Sequence, residues 1–297
     1  MCETKRMKGT AMNANTARIG FIGFGNMAQA MAKGLINHGN VEGGRIIACA
    51  AHADKLQASC ETIGVVAARD AAQVVANSDI VIIAVKPYLV AEVVAPLREA
   101  LAGKAVVSVA AGVLFDDYEA MLAPDAHHLS TIPNTPIAAG AGVIAYEQQH
   151  SLTEDEWASF EDLFAPIALL EPVAGNLLST ASAIAGCGPA FAAMFMEALA
   201  DGGVKNGLPR ATAQRLAAQM LAGTAQLHLQ TGTHPGAMKD AVCSPGGTTI
   251  KGVAALEAGA FRSTVINAVD ATLKKQSSSS VMRIRFSSIV VSQGHPA

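Results

Sequence analysis

The chain has 297 residues, a formal net charge of −3 and 15% charged residues, enough length for two ordinary domains with full cores and none of the basic striping that nucleic acid requires. Its five cysteines (Cys2, Cys49, Cys60, Cys187, Cys243) are odd in number and never form a CxxC pair, which points to reduced thiols in the cytoplasm and excludes a disulfide framework or a zinc knuckle. The histidines, among them His127, His128 and His234, show no HxxxH or HExxH spacing, so no metal site is expected.

Residues 1–16 carry basic side chains but no apolar h-region, so they are expected to be a disordered extension and not a secretory signal. Residues 18–23 (RIGFIG) form a short apolar strand, followed by apolar positions at helical spacing from Met27 to Leu35. The junction, Gly23-Phe24-Gly25-Asn26-Met27-Ala28, is the GxGxxA form of the dinucleotide fingerprint. Gly23 permits the tight turn, Gly25 admits a pyrophosphate to the backbone, and Ala28 lets helix and strand pack closely. Further apolar strands follow at residues 45–50, 79–85, 105–109 and 126–132 with helical stretches between, which describes a doubly wound parallel sheet. Ligand then belongs at the carboxyl ends of the strands, near Gly23, Ala50, Lys86-Pro87 and Ala111-Gly112. The second strand ends in Ala50-Ala51-His52, without the acid that a NAD site uses on the ribose, so NADPH is favoured and NADH is the alternative. With no arginine in place for a phosphate, His52 or Lys55 would have to help.

Two prolines flank Asn134 in STIPNTPIAA, placing its amide at the sheet's open edge, where it reads either as a contact near the nicotinamide or as a turn asparagine. Residues 140–146 add a strand, and residues 153–164 a helix opened by a Thr153/Glu156 capping box. The pattern changes at residues 166–175, giving a dinucleotide domain over 17–172, a helical domain over 173–276 and an atypical tail over 277–297. Helices are expected at 176–185, 189–206, 210–230, 235–242, 248–257 and 261–275, and their apolar faces are mostly alanine and glycine. Such faces make a thin core, so burial against a second subunit is expected. Residues 177–196 hold no charge and could span a bilayer, but Gly186, Gly188 and Pro189 interrupt them, and a buried helix pair in a soluble protein is the expected reading. Asp201 and Lys205 sit four apart and read as an ion pair or as surface groups.

The last informative stretch is DAVCSPGGTTIKGVAALE at 240–257, where a Pro-Gly-Gly turn opens directly into a helix. Unpaired N–H groups, glycines without Cβ at 246 and 247, and the hydroxyls of Thr248 and Thr249 suit a carboxylate; a capped helix that binds nothing is the alternative.

Taken with GFIGFGNMAQAMAKG, AVKP (84–87), AAGV (110–113), PNTP (133–136), GCGPAF (186–191), EALADGGVKNGLPR (197–210) and HPGAMKD (234–240), this stretch makes residues 18–275 resemble the pyrroline-5-carboxylate reductases. The resemblance implies a Rossmann-like sheet domain plus an all-helical dimerisation domain, arranged as in 6-phosphogluconate dehydrogenases. It implies hydride transfer from NADPH, or NADH, to the cyclic imine of pyrroline-5-carboxylate, giving proline. It further implies a domain-swapped dimer that can build larger rings, with no nucleic-acid or membrane partner. Carried over by position, Ile22, Gly23, Phe24, Gly25, Asn26, Met27, Ala50, Ala84, Val85, Lys86, Pro87, Ala110, Ala111 and Asn134 contact cofactor. Ser244, Gly246, Gly247, Thr248 and Thr249 contact substrate, with Thr249 as the catalytic candidate. The chain departs from many relatives at Ala71 and from some at Ala241, where they place asparagine, and after Gln276, where the family's last helix continues. A reductase of the same architecture using a catalytic lysine would have only Lys205 or Lys239 to call on. A non-catalytic nucleotide-binding dimer would be marked by loss of the PGGTT loop, which is intact.

Overall fold

The computed structural model describes residues 12–275. Packing divides them into two compact units, one ending at Gly186 and the other covering Cys187–Lys275. The first unit is built on eight strands: β1 (Ile19–Ile22), β2 (Ile46–Cys49), β3 (Val66–Ala67), β4 (Ile80–Ile83), β5 (Ala105–Ser108), β6 (His127–Pro133), β7 (Gly142–Glu147) and β8 (Ala168–Val173). Their spatial order is β3-β2-β1-β4-β5-β6-β7-β8. Helices α1 (Asn26–Asn37), α2 (Ala53–Ile63), α3 (Ala71–Ala76), α4 (Val90–Val94), α5 (Phe115–Met121) and α6 (Glu154–Phe164) lie between strands in sequence. Because strand side chains alternate between faces, consecutive residues feed two cores. Ile19 and Phe21 of β1, with Ile80 and Ile82 of β4, join Met31 and Leu35 of α1 and Phe160 and Phe164 of α6. Ile22, Val81 and Ile83 join Val74 of α3, Val90 and Val94 of α4, and Tyr118 of α5 on the other face. Each such fully buried side chain stabilises the fold by about 1.5–3 kcal/mol, so two covered faces hold the sheet firmly.

The sheet runs parallel from β3 to β6, and β7 then runs antiparallel to β6. A parallel crossover needs a dozen or more residues, and only the short Thr135–Ala139 turn and a few flanking residues separate these strands, so the chain must reverse. α6 then carries it to β8, which pairs with β7 in parallel. The expected capping box opens α6: Thr153 Oγ1 accepts from the Glu156 N–H, and Glu156 Oε2 accepts from the Thr153 N–H at 2.8 Å.

The extension expected to be disordered is ordered from Met12. Thr16 N–H donates to Asn13 O, Arg45 donates to Ala14 O and Ala17 O, and Met12 and Ala14 pack on the core. Residues 1–11 and the tail beyond residue 275 lie outside the described residues.

At the amino end of β6, His128 is buried with its Nε2 2.8 Å from Glu119 Oε1, while Nδ1 finds no partner. Burial holds this imidazole below the ordinary histidine range, outweighing the half-exposed Glu119 that opposes it, and neighbouring His127 pushes the same way. His150 is lowered for the same reason, burial first and then His128. A lowered folded value means that the unfolded chain binds the extra protons, so this stability is present at about pH 7 and falls as pH drops through about 6.5 and below. We expect the urea midpoint to fall between pH ~7.5 and ~5.5, and His128→Phe to flatten that dependence. A wild-type midpoint independent of pH over this range would contradict the assignment.

Residues 175–186, expected from sequence to open the helical domain, pack with the sheet unit. They form a 3₁₀ turn (Gly175–Leu177), the short α7 (Leu178–Ala181) and a π-helical turn (Ser182–Gly186), held there because Leu178 is buried with Ile132 and Ala145.

The second unit contains α8 (Gly188–Lys205), α9 (Arg210–Thr231), α10 (Pro235–Ala241), α11 (Thr248–Ala258) and a last helix over residues 261–275. α8 and α9 approach closely where Gly203 faces Ala213, since a Cβ on Gly203 would sit 3.1 Å from the Ala213 methyl. Only Ala200, Ala213 and Ala217 are buried in this unit among the described residues, whereas Met194 is 69% and Leu229 71% exposed. Methyl-sized burial gives little hydrophobic stabilisation, so the unit has surplus apolar surface to cover. By length and composition the run Gly175–Lys205 could also cross a membrane, with a mean hydropathy of 1.5.

Candidate active site

The site residues fall into two sets, one on each unit. In the sheet unit β1 lies between β2 and β4, so the chain's crossovers diverge there and leave a crevice at the strands' carboxyl ends. Those ends are laced together by backbone bonds: Gly23 N–H to Cys49 O at 2.9 Å, Ala84 N–H to Ile22 O at 2.8 Å, and Val109 N–H to Ile83 O at 3.0 Å. Gly23 has φ +93°, and a Cβ there would meet the Ala84 carbonyl oxygen at 2.7 Å. Gly23→Ala is therefore expected to cost about 2 kcal/mol or more in chemical denaturation and to weaken dinucleotide binding, since side chains avoid this backbone region. Unchanged stability and binding would show that the turn can relax.

Gly25 is the N-cap of α1, with no side-chain cap and no acid in the first turn, and a Cβ added to it would meet nothing within 4 Å. The opening N–H groups of α1 are thus unclaimed by side chains, and the backbone is open to an approaching phosphate. These are the features a pyrophosphate needs, so the residues present fit a dinucleotide.

The sequence-predicted cofactor residues gather at this edge with differing exposure. Asn26, Lys86 and Ala111 are exposed, and Met27, Ala50, Ala84, Val85 and Pro87 are half-buried. Ile22, Phe24 and Ala110 are corrected in one respect: their side chains are buried, Phe24 edge-on to Phe21 at 5.9 Å, so only their backbone can face a ligand.

Asn134 is tethered on both ends of its amide. Its Oδ1 accepts the Val143 N–H at 2.8 Å and its Nδ2 donates to Ala185 O at 3.0 Å, with the residue 6% exposed. The amide thus ties β6, β7 and the π-helical turn together.

Sequence reasoning missed a buried hydroxyl cluster beneath the Ala110–Gly112 loop. Ser108 Oγ accepts from Tyr118 Oη at 2.7 Å and from the Ala110 N–H at 3.1 Å, while Thr131 Oγ1 donates to Ser108 O at 2.7 Å. Burial pushes the Tyr118 phenol well above its usual range, so it serves as a donor. Only the apolar setting of Ser108 in AVVSV hinted at this role.

In the helical unit Ser244, Gly246, Gly247, Thr248 and Thr249 come together in one turn. Gly247 N–H donates to Ser244 O at 3.0 Å, Gly246 takes φ +69°, and a Cβ on Gly247 would collide with Ser244 Oγ at 2.3 Å. Gly247 is the N-cap of α11, again with no side-chain cap and no acid in the first turn. Thr248 and Thr249 are both exposed at the turn's surface, and Gly247 is half-buried. This turn offers N–H groups and hydroxyls to an anion and carries no base. The lysines that a different mechanism would need are poorly placed to act as bases. Lys239 pairs with Asp240, whose hydrogen bond raises the lysine further above its usual range. Of the two readings of Asp201 and Lys205, ion pair or surface groups, the pair does not form: Asp201 pairs with Arg210.

Comparison with known proteins assigns both halves. Residues 176–279 match the pyrroline-5-carboxylate reductase dimerisation family and residues 18–112 a family described as NADP oxidoreductase, coenzyme F420-dependent. Over 86% of this chain and 98% of the relative, it is 44% identical to the pyrroline-5-carboxylate reductase of Treponema pallidum. The chain belongs to the pyrroline-5-carboxylate reductase family. The Escherichia coli member is 39% identical over 87% of this chain and 96% of its own length. The crystal structure of Plasmodium falciparum pyrroline carboxylate reductase with NADP bound superposes with a TM-score of 0.79 at 27% identity, covering 90% of this chain and 99% of that one.

Proposed function

We propose that this chain reduces pyrroline-5-carboxylate to L-proline with NAD(P)H, in the cytoplasm, as the last step of proline synthesis. The observation that carries the reading is that one chain of this family holds both an uncapped glycine-rich opening at the sheet's crevice and a second uncapped opening, PGGTT, on its helical unit. NAD(P)H supplies the hydride; everything else asked of the protein is orientation. The crevice residues Gly23 to Met27, Ala84 to Pro87 and Ala110-Ala111 hold the dinucleotide. The N–H groups of Thr248 and Thr249 and the Ser244 hydroxyl hold the substrate carboxylate, with Gly247 leaving the turn open to it. The Thr249 hydroxyl hydrogen-bonds the ring nitrogen, whose protonated imine is electrophilic enough to need no strong base or nucleophile. That need accounts for a turn rich in donors and poor in bases.

The two openings lie on different units, and the helical unit has apolar surface to cover. We therefore place a second copy of this chain on the helices, in a domain-swapped dimer in which each site draws on both chains, with dimers assembling into larger rings. Loss of nicotinamide absorbance on adding pyrroline-5-carboxylate, measured with NADPH and with NADH, tests the activity. No turnover with either cofactor, while a cyclic diacid or hydroxy acid is reduced or oxidised, would move the chain to another reaction.

A further inference from the structure

Ala110 and Ala111 belong to a loop over residues 109–114 that joins β5 to α5. Its tip is open: Ala111 and Gly112 are exposed, and Gly112 holds φ +77°. An exposed tip carrying a glycine does not keep one shape by itself. Side chains from three strands and from α5 fix it on both sides. At the entry, the Ala110 N–H and the Tyr118 Oη both donate to Ser108 Oγ, at 3.1 and 2.7 Å. Ser130 Oγ of β6 donates to Val113 O at 3.1 Å. At the exit, the Phe115 N–H donates to Glu147 Oε2 at 2.9 Å.

The last tie reaches furthest along the chain. Glu147 is the final residue of β7, 32 positions from Phe115, and is 5% exposed. Register with Val173 of β8 sets its backbone, and its carboxyl lies against Gly175, where a Cβ would come within 2.2 Å of Oε1. The side chain therefore has little room to turn away from Phe115. Burial raises this carboxyl above its usual range; the Phe115 N–H opposes that, and Asp116 and Asp117 from the first turn of α5 add to the rise. A carboxyl buried beside two others costs stability, and what it supplies here is the acceptor that anchors the loop.

We propose that Glu147 is a positioning residue for cofactor binding: it anchors the exit of the 109–114 loop, with Ser130, Ser108 and Tyr118 holding the remainder, and so keeps Ala110 and Ala111 in the shape that receives the dinucleotide. The inference rests on the assignment of the dinucleotide to this crevice. A loop already ordered loses less entropy when its ligand arrives, so loosening it weakens binding although Glu147 does not touch the cofactor.

The test combines calorimetric titration of the full chain with NADPH and hydrogen exchange of residues 109–117 in the free protein. We expect Glu147→Ala to weaken NADPH binding about tenfold, a rough scale for a loop that must be ordered on binding, and to speed exchange in this segment. Glu147→Gln, which keeps an acceptor oxygen in place, should bind within about threefold of wild type. Tyr118→Phe and Ser130→Ala remove ties without disturbing the carboxyl; each should weaken binding by a smaller factor, and they decide the question if Glu147→Ala does not fold. Phe160→Leu thins the core under α6 away from the loop, so it loses stability alone and should keep wild-type affinity. An affinity in Glu147→Ala within about twofold of wild type or no weaker than in Phe160→Leu, or a glutamine variant as weak as the alanine one, would overturn the positioning role. So would wild-type affinity in both Tyr118→Phe and Ser130→Ala. A wild type that binds neither NADPH nor NADH would instead overturn the dinucleotide assignment on which the role rests.

Discussion

Thr249→Ala is expected to lower kcat about ten- to hundredfold while leaving the dissociation constant for NADPH nearly unchanged. The scale is that of one lost hydrogen bond to a group that becomes charged as the reaction proceeds. The selectivity of the effect follows from position. Thr249 is in the first turn of α11, exposed, with no structural bond from its hydroxyl among the described residues, and the dinucleotide fingerprint is on the other unit. Thr249→Ser, which keeps the hydroxyl, should recover most of the rate. Thermal stability should barely move, because the side chain packs against little. Steady-state kinetics with saturating cofactor, beside a direct NADPH titration, checks all of this. An unchanged kcat in Thr249→Ala removes the residue from the mechanism, and equal losses in kcat and NADPH affinity would point to a disturbed fold.

The second large effect concerns assembly. Leu216→Asp is expected to weaken the dimer by about a thousandfold or more. Leu216 is on α9 at 58% exposure, among Leu199, Leu208 and Met220, which form an apolar groove that this chain alone leaves open. Removing a buried leucine forfeits about 1.5–3 kcal/mol and leaves a carboxylate facing apolar surface, and a two-fold interface counts each loss twice. Sedimentation velocity across a dilution series measures the change. A wild type that is monomeric at micromolar concentration would refute the proposed self-association, and flotation of the wild type with lipid vesicles would assign the apolar run to a bilayer instead.

How much of the fold and of the site is legible in the sequence follows from the range of the forces involved. The GxGxxA turn and the PGGTT turn are local: the glycines, the strand before one and the helix after each lie within a few residues, so the sequence carries them whole. The alternation of strands and helices is legible for the same reason. What could not be read depends on residues distant in sequence. Asn134 reads as a contact residue or a turn asparagine because nothing near it announces Val143 and Ala185 as its partners. Ser108 and Tyr118 are ten residues apart and meet only because α5 folds back over β5. Asp201 pairs with Arg210 over the nearer Lys205, since the turn between α8 and α9 returns the arginine to it. The β6–β7 reversal could have been found by counting the short connection against the length a parallel crossover needs.

The position of the chain's single tryptophan has a practical consequence. Trp157 belongs to α6 in the sheet unit, stacked on His150 at 5.1 Å and in contact with Tyr146 and Phe160. No tryptophan is in Cys187–Lys275, so the intrinsic emission of this protein reports the sheet unit and is blind to the helices. Circular dichroism, by contrast, is weighted towards the long α8 and α9. If subunit dissociation loosens the helices first, ellipticity will be lost before emission shifts, and the gap between the two curves will widen on dilution. A single optical probe would miss that order of events; the pair makes the chain its own two-channel recorder of how assembly and folding come apart.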